Sequence, residues 1–172
     1  SVVIQGPVEI SNLNPSLKHL TVTENGSITN GSNTIITVNQ DVTVFGNIDL
    51  ASSTDINIGR NLSVYGDMRI STTFTGTADH YIYTHPGSEW NPNYHLYALE
   101  SKLIAVSDLY ILANYTTANI AALEIDLSGG YDLYMEKVRF GAAYSGIRTK
   151  LTGGGNSISL NENVTTSNQY FY

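Results

Sequence analysis

Glycines at positions 6, 26, 46 and 66 recur every 20 residues, and apolar side chains flank each of them at fixed distances. Four residues before them stand Val2, Val22, Val42 and Leu62, and two residues after them stand Val8, Ile28, Ile48 and Met68. A fixed period of this length marks a stacked architecture, in which each repeat can bury its apolar side chains only against its neighbours. Within a repeat the alternation is short: Val42-Thr43-Val44, then Gly46, then Ile48-Asp49-Leu50, then Ile56-Asn57-Ile58. Such pieces read as three strands separated by corners. The prediction is a three-sided coil with Val22, Val42 and Leu62 in one inward stack and Ile28, Ile48 and Met68 in another. The glycines are expected at corners, where they tolerate positive φ.

A second register follows. Asp108-Leu109-Tyr110-Ile111 matches Asp132-Leu133-Tyr134-Met135 at a spacing of 24, and Leu123 aligns with Ile147, Leu127 with Leu151, and Gly129-Gly130 with Gly153-Gly154. A strand-only repeat of this size is too short for a propeller blade and lacks the ladder of a leucine-rich repeat. The predicted fold is all-β, a right-handed parallel β-helix, with coils of about 20 residues over 1–75 and about 24 residues over 100–172. An antiparallel sandwich or jelly roll is the rival architecture, but neither requires a strict period.

Both registers lapse over residues 76–99. This segment holds the single tryptophan, two of the four prolines, three of the four histidines and four tyrosines. It predicts a loop leaving the shaft. Aromatic faces with neutral polar neighbours suit sugars, and loops on rigid scaffolds concentrate binding groups, so Trp90, Tyr83, Tyr94 and His95 are the candidate glycan-binding residues. The structural alternative is that these aromatics fold back to plug the junction between coils of different size.

The charge balance narrows the partners. Eight Lys and Arg against fifteen Asp and Glu give a net charge of −7 and a pI near 4.8, which opposes attachment to nucleic acid or anionic lipid. Cysteine is absent, so disulfides and thiolate chemistry are excluded. No apolar run reaches the roughly 18 residues that a membrane-spanning helix needs, and the first residues lack the plan of a signal peptide; a soluble domain with no membrane insertion is expected. Ser1 at the start and Tyr170-Phe171-Tyr172 at the end give the expectation of a piece of a longer polypeptide.

Other constellations are weaker. Asp108 and Asp132 hold equivalent places in successive coils, close to the carboxylate separation of a retaining glycosidase, but each precedes a strand and suits a turn cap better. Glu124 and Asp126 alternate with Leu123, Ile125 and Leu127, so both acids belong to an outward, solvated face. His80 and His85 are five residues apart and on a strand would point to opposite faces. No metal or cofactor is expected.

The stretch Leu133-Tyr134-Met135-Glu136-Lys137-Val138-Arg139-Phe140-Gly141, followed by Tyr144-Ser145-Gly146-Ile147, resembles a coil of the pectin-lyase-like β-helix family, closest in style to bacteriophage tail spike and tail fibre proteins. The resemblance covers Ser101 to Leu160 and extends to the first 70 residues only as a solenoid; it transfers no catalytic residue. It implies a homotrimeric shaft on a virion tail, outside the cell, that binds bacterial surface polysaccharide. A polysaccharide depolymerase, hydrolase or lyase, is the alternative, and the adhesin passenger of a bacterial autotransporter a further one.

Overall fold

A computed structural model describes residues 1–29, 33–50, 54–112, 118–140, 150–153, 158–160 and 165–166. The described strands are short and stack in parallel, so that each coil lies on the one before it. The protein is a parallel β-helix with three sides, as the repeat requires.

The first side is built by Val2–Ile4, Leu20–Val22, Val42–Val44, Leu62–Val64 and His80–Thr84. The second side stacks eight strands: Pro7–Glu9, Ser27–Thr29, Asn47–Asp49, Asp67–Arg69, Glu89–Asn91, Leu109–Leu112, Leu133–Glu136 and Ile158–Leu160. The third begins with Ser16–Leu17, Thr34–Val38, Thr54–Ile58 and Ser71–Phe74. Higher up, His95–Ala105 and Ala118–Asp126 run along the third side and continue round the bend onto the first.

Alternation decides what points inward. On Leu62–Val64 the two apolar ends are buried while Ser63 between them is half-exposed, and the same pattern holds on Val42–Val44. On the second side Val8, Ile28, Ile48 and Met68 stack in register at intervals of 20, as their spacing predicts. On the first side the expected stack of Val22 on Val42 is displaced. Leu20 lies beneath Val42, and Val22 beneath Val44. The cause is a corner of four residues, Thr23-Glu24-Asn25-Gly26, where the next two coils have only Phe45-Gly46 and Tyr65-Gly66.

The glycine column has a different origin from the expected one. Positive φ occurs at Gly76, Gly87 and Gly130 and at none of the four periodic glycines. What the corners at Gly26, Gly46 and Gly66 lack is room. A Cβ on Gly46 would lie 2.2 Å from the carbonyl oxygen of Gly26, and one on Gly66 would lie 2.1 Å from that of Gly46. In these two corners the carbonyl of the glycine below therefore occupies the place of a side chain.

Residues 76–99 are not a loop outside the shaft. They supply His80–Thr84, Glu89–Asn91 and the start of His95–Ala105, three strands of one coil, and only Thr75 to Asp79 run as a fully exposed connection. Trp90 stands on Met68 and beneath Ile111 in the inward column of the second side, with none of its surface exposed. The corner before it, His85-Pro86-Gly87-Ser88, again carries two extra residues, so the step from Met68 to Trp90 is 22 rather than 20. Above Trp90 the steps are 21 to Ile111, 24 to Met135 and 25 to Leu160. The indole fills the shaft where the coils begin to widen.

The spacing of 24 holds for Leu109 on Leu133 and Ile111 on Met135, but Leu151 pairs with Ile125 rather than Leu127. At the bend Ala98 pairs with Ala122 and Lys102 with Glu124, so one coil uses two residues more than the next. This shift leaves Leu123 exposed and interrupts the strict alternation expected there. The predicted pairings of Ile147 and Gly154 lie outside the described residues, as does the stretch from Gly141 to Ile147.

Candidate functional site

The four residues expected to share a glycan site face different ways. Trp90 is sealed in the core and has no face to offer a sugar, because the two added corner residues carry it into the inward column. Tyr83 points outward on the first side, in register with Ser63. Tyr94 is exposed at the corner leading to the third side. His95 lies on the third side, its ring stacked on Tyr97 at 4.2 Å, with Nε2 at 3.3 Å from Thr73 Oγ1 and 3.5 Å from Asp55 Oδ1. Burial pushes its pKa below the usual histidine value, opposed by the Asp55 carboxylate. Only Tyr83 belongs to a larger exposed aromatic group.

That group sits at the corner between the first and second sides. Phe45 and Tyr65 occupy equivalent places in successive short corners, and their rings stack at 4.6 Å with 17° between planes. The ring of Tyr83 approaches Tyr65 at 4.8 Å, and that of His85, one corner higher, lies at 6.3 Å. A contact of 3.3 Å joins the Tyr83 hydroxyl to Nδ1 of His85. Phe45 and Tyr65 remain 40% exposed, a large apolar surface to leave in water at neighbouring positions.

The flanking corners shape this surface into a notch. Below the two short corners lies the four-residue corner Thr23 to Gly26, and above them lies His85 to Ser88. Both long corners are tied down by hydrogen bonds. Thr23 donates through Oγ1 to the Ile4 carbonyl and Gly26 N–H donates to the Thr23 carbonyl, while Ser88 donates through Oγ to the carbonyl of His85 at 2.7 Å. Tyr65 stacks on one face of Phe45, which leaves the side of the ring toward the corner below. It borders a shallow pocket lined by Thr23, Glu24, Asn25 and Phe45.

Three of the acids considered from sequence are engaged in bonds within the fold. Asp108 accepts the backbone N–H of Asp132 through Oδ1 at 2.9 Å, a bond from one coil to the next where a cap on its own turn was expected. Glu124 accepts from the Thr152 hydroxyl and the Lys150 ammonium, and both bonds hold its pKa below the usual carboxylate value. The Asp126 carboxyl is likewise held down by the side chain and backbone N–H of Ser128, the latter at 2.8 Å. His80 is buried, its Nδ1 at 2.6 Å from the Arg60 carbonyl, and His85 is exposed at the corner, so the two do not form a ligand pair. Among the described residues there is no cluster of three metal-binding side chains.

The sequence signal for the notch was present in Phe45-Gly46 and Tyr65-Gly66, an aromatic before a periodic glycine in two successive repeats. Comparison with known proteins returned no matching family, no matching curated protein and no matching solved structure.

Proposed function

We propose that this chain is a glycan-binding stretch of an extracellular β-helical shaft, a segment of a viral tail spike or fibre, that holds bacterial surface polysaccharide at the notch around Phe45. The observation that carries this reading is an exposed aromatic residue, Phe45, that lines one pocket with the polar residues Glu24 and Asn25 of the corner below. A pyranose needs such a surface: an apolar platform for its C–H face and hydrogen-bonding groups around its hydroxyls.

Phe45 supplies the platform, and Glu24 and Asn25 accept and donate at the rim. The edges of Tyr65 and Tyr83 extend the contact along the shaft. Burying 50 to 100 Å² of apolar surface on Phe45 contributes about 1–3 kcal/mol, so one notch binds weakly. Firm attachment then requires several notches acting together, as three copies in a homotrimer provide through effective concentration. Binding without cleavage is favoured over a depolymerase because Asp108, Glu124 and Asp126 are each committed to bonds within the fold.

The test is a glycan array or whole-cell binding with the wild type and Phe45→Ala, with folding verified by melting. Loss of binding is expected while the variant still melts in one cooperative transition, only slightly below the wild type. Equal binding by both proteins removes the notch from the reading, and steady release of reducing ends would assign the chain to the depolymerases instead.

A further inference from the structure

We propose that the sugar seated on Phe45 carries a free ammonium group, so that the notch selects a non-acetylated hexosamine over its N-acetylated or acidic counterparts. This rests on the glycan reading above and specifies its ligand.

Two features of the pocket favour positive charge. The open face of Phe45 presents the negative side of the ring quadrupole, which attracts a cation placed over it. Beside it stands Glu24, exposed at the tip of the long corner, whose carboxylate can pair with an ammonium. Thr23 and Asn25, the other two lining residues, are neutral, so no cationic side chain lines the pocket to compete for Glu24 or to attract a uronic or sialic acid. The chain's net charge of −7 acts in the same sense at longer range.

The geometry limits what can enter. Tyr65 covers one face of Phe45, which leaves a single platform, and Thr23 is held to the coil below by its bond to Ile4. One pyranose fits on the platform, with its amine directed at Glu24 and its hydroxyls at Asn25. An N-acetyl group removes the charge and adds bulk on the side where the carboxylate waits.

The experiment titrates the protein with the glucosamine trimer, the N-acetylglucosamine trimer and n-butylamine, followed by NMR shifts of the Glu24 to Gly26 amides. Wild type, Glu24→Gln and Phe45→Ala are compared, each checked by melting. The glucosamine trimer is expected to bind about 2- to 5-fold more tightly than the acetylated one, the range of an exposed ion pair. Glu24→Gln should abolish that preference, and raising the salt concentration should shrink it. n-Butylamine, an ammonium without a ring, should bind more weakly than either trimer. Equal binding of the two trimers by the wild type, a preference that survives Glu24→Gln, or butylamine binding as tightly as the glucosamine trimer would overturn the inference and leave the glycan reading intact. Failure of both trimers to bind, or undiminished binding of both to Phe45→Ala, would overturn the glycan reading itself.

Discussion

Trp90 lies directly on Met68 in the inward column of the second side, and both side chains are wholly buried. Phe74 meets the indole edge to face at 6.5 Å. Trp90→Ala therefore opens a large cavity between coils and should cost about 3–5 kcal/mol, read as a lower denaturation midpoint. Because the ring is enclosed, its fluorescence should be blue-shifted and resist quenching by iodide. Free quenching in the folded protein would return Trp90 to the surface.

The glycine column gives a position-dependent prediction. Gly46→Ala places a methyl group against the backbone carbonyls of both Gly26 and Thr23, whereas a Cβ on Gly6 meets nothing within 4 Å. Gly46→Ala should destabilise by about 1–3 kcal/mol, the usual range for overpacking, while Gly6→Ala should be close to neutral. Thermal melts of the two variants side by side decide the point.

Acid should weaken the fold in two stages. Burial lowers the pKa of His80, opposed by its bond to the Arg60 carbonyl and by the charge of Asp79, and burial lowers that of His95. Protons then bind the unfolded chain more readily than the folded one, so stability is full above the unfolded value near 6.5 and falls as pH drops through the folded values. The carboxyls of Glu124 and Asp126, also depressed when folded, add a second loss that begins below their ordinary values of 4.5 and 3.8. Melting between pH 7.5 and 5 should show a smaller decline for His80→Gln than for wild type. An unchanged slope would mean that His80 is protonated while folded.

Stability and binding should separate at the notch. Phe45 is substantially exposed and stacks mainly on Tyr65, so Phe45→Ala should cost under about 1.5 kcal/mol, the scale of an aromatic pair. Ile48→Ala, three residues on but fully buried, should cost about 2–5 kcal/mol. A parallel measurement of glycan binding should show the reverse order, with the larger effect at Phe45.

The inward columns were legible wherever the total length of a coil stayed at 20 residues, whatever the length of any one corner. Val8, Ile28, Ile48 and Met68 keep the same spacing because the chain between them has the same length, and periodicity found them. It missed Trp90 because Pro86-Gly87 displaced it by two residues, so that counting 20 from Met68 arrives at Ser88. The same arithmetic misplaced Val22, through Glu24-Asn25. An aromatic outside the repeat then looked like a surface residue when it was a core residue out of step. The notch was harder to see, since Phe45 and Tyr65 become neighbours only when the coils stack, and the openness of one Phe45 face depends on which corner lies below.

Both long corners show that the shaft absorbs inserted residues without disturbing its sides. Across Glu24-Asn25 the pairing of Val22 with Val44 and of Ile28 with Ile48 is kept, and across Pro86-Gly87 Met68 still finds Trp90. Corner length and core register are therefore separate variables, the one free to change while the other is held by stacking. A corner could be lengthened, shortened or rewritten to suit a new ligand while the scaffold beneath it is inherited whole.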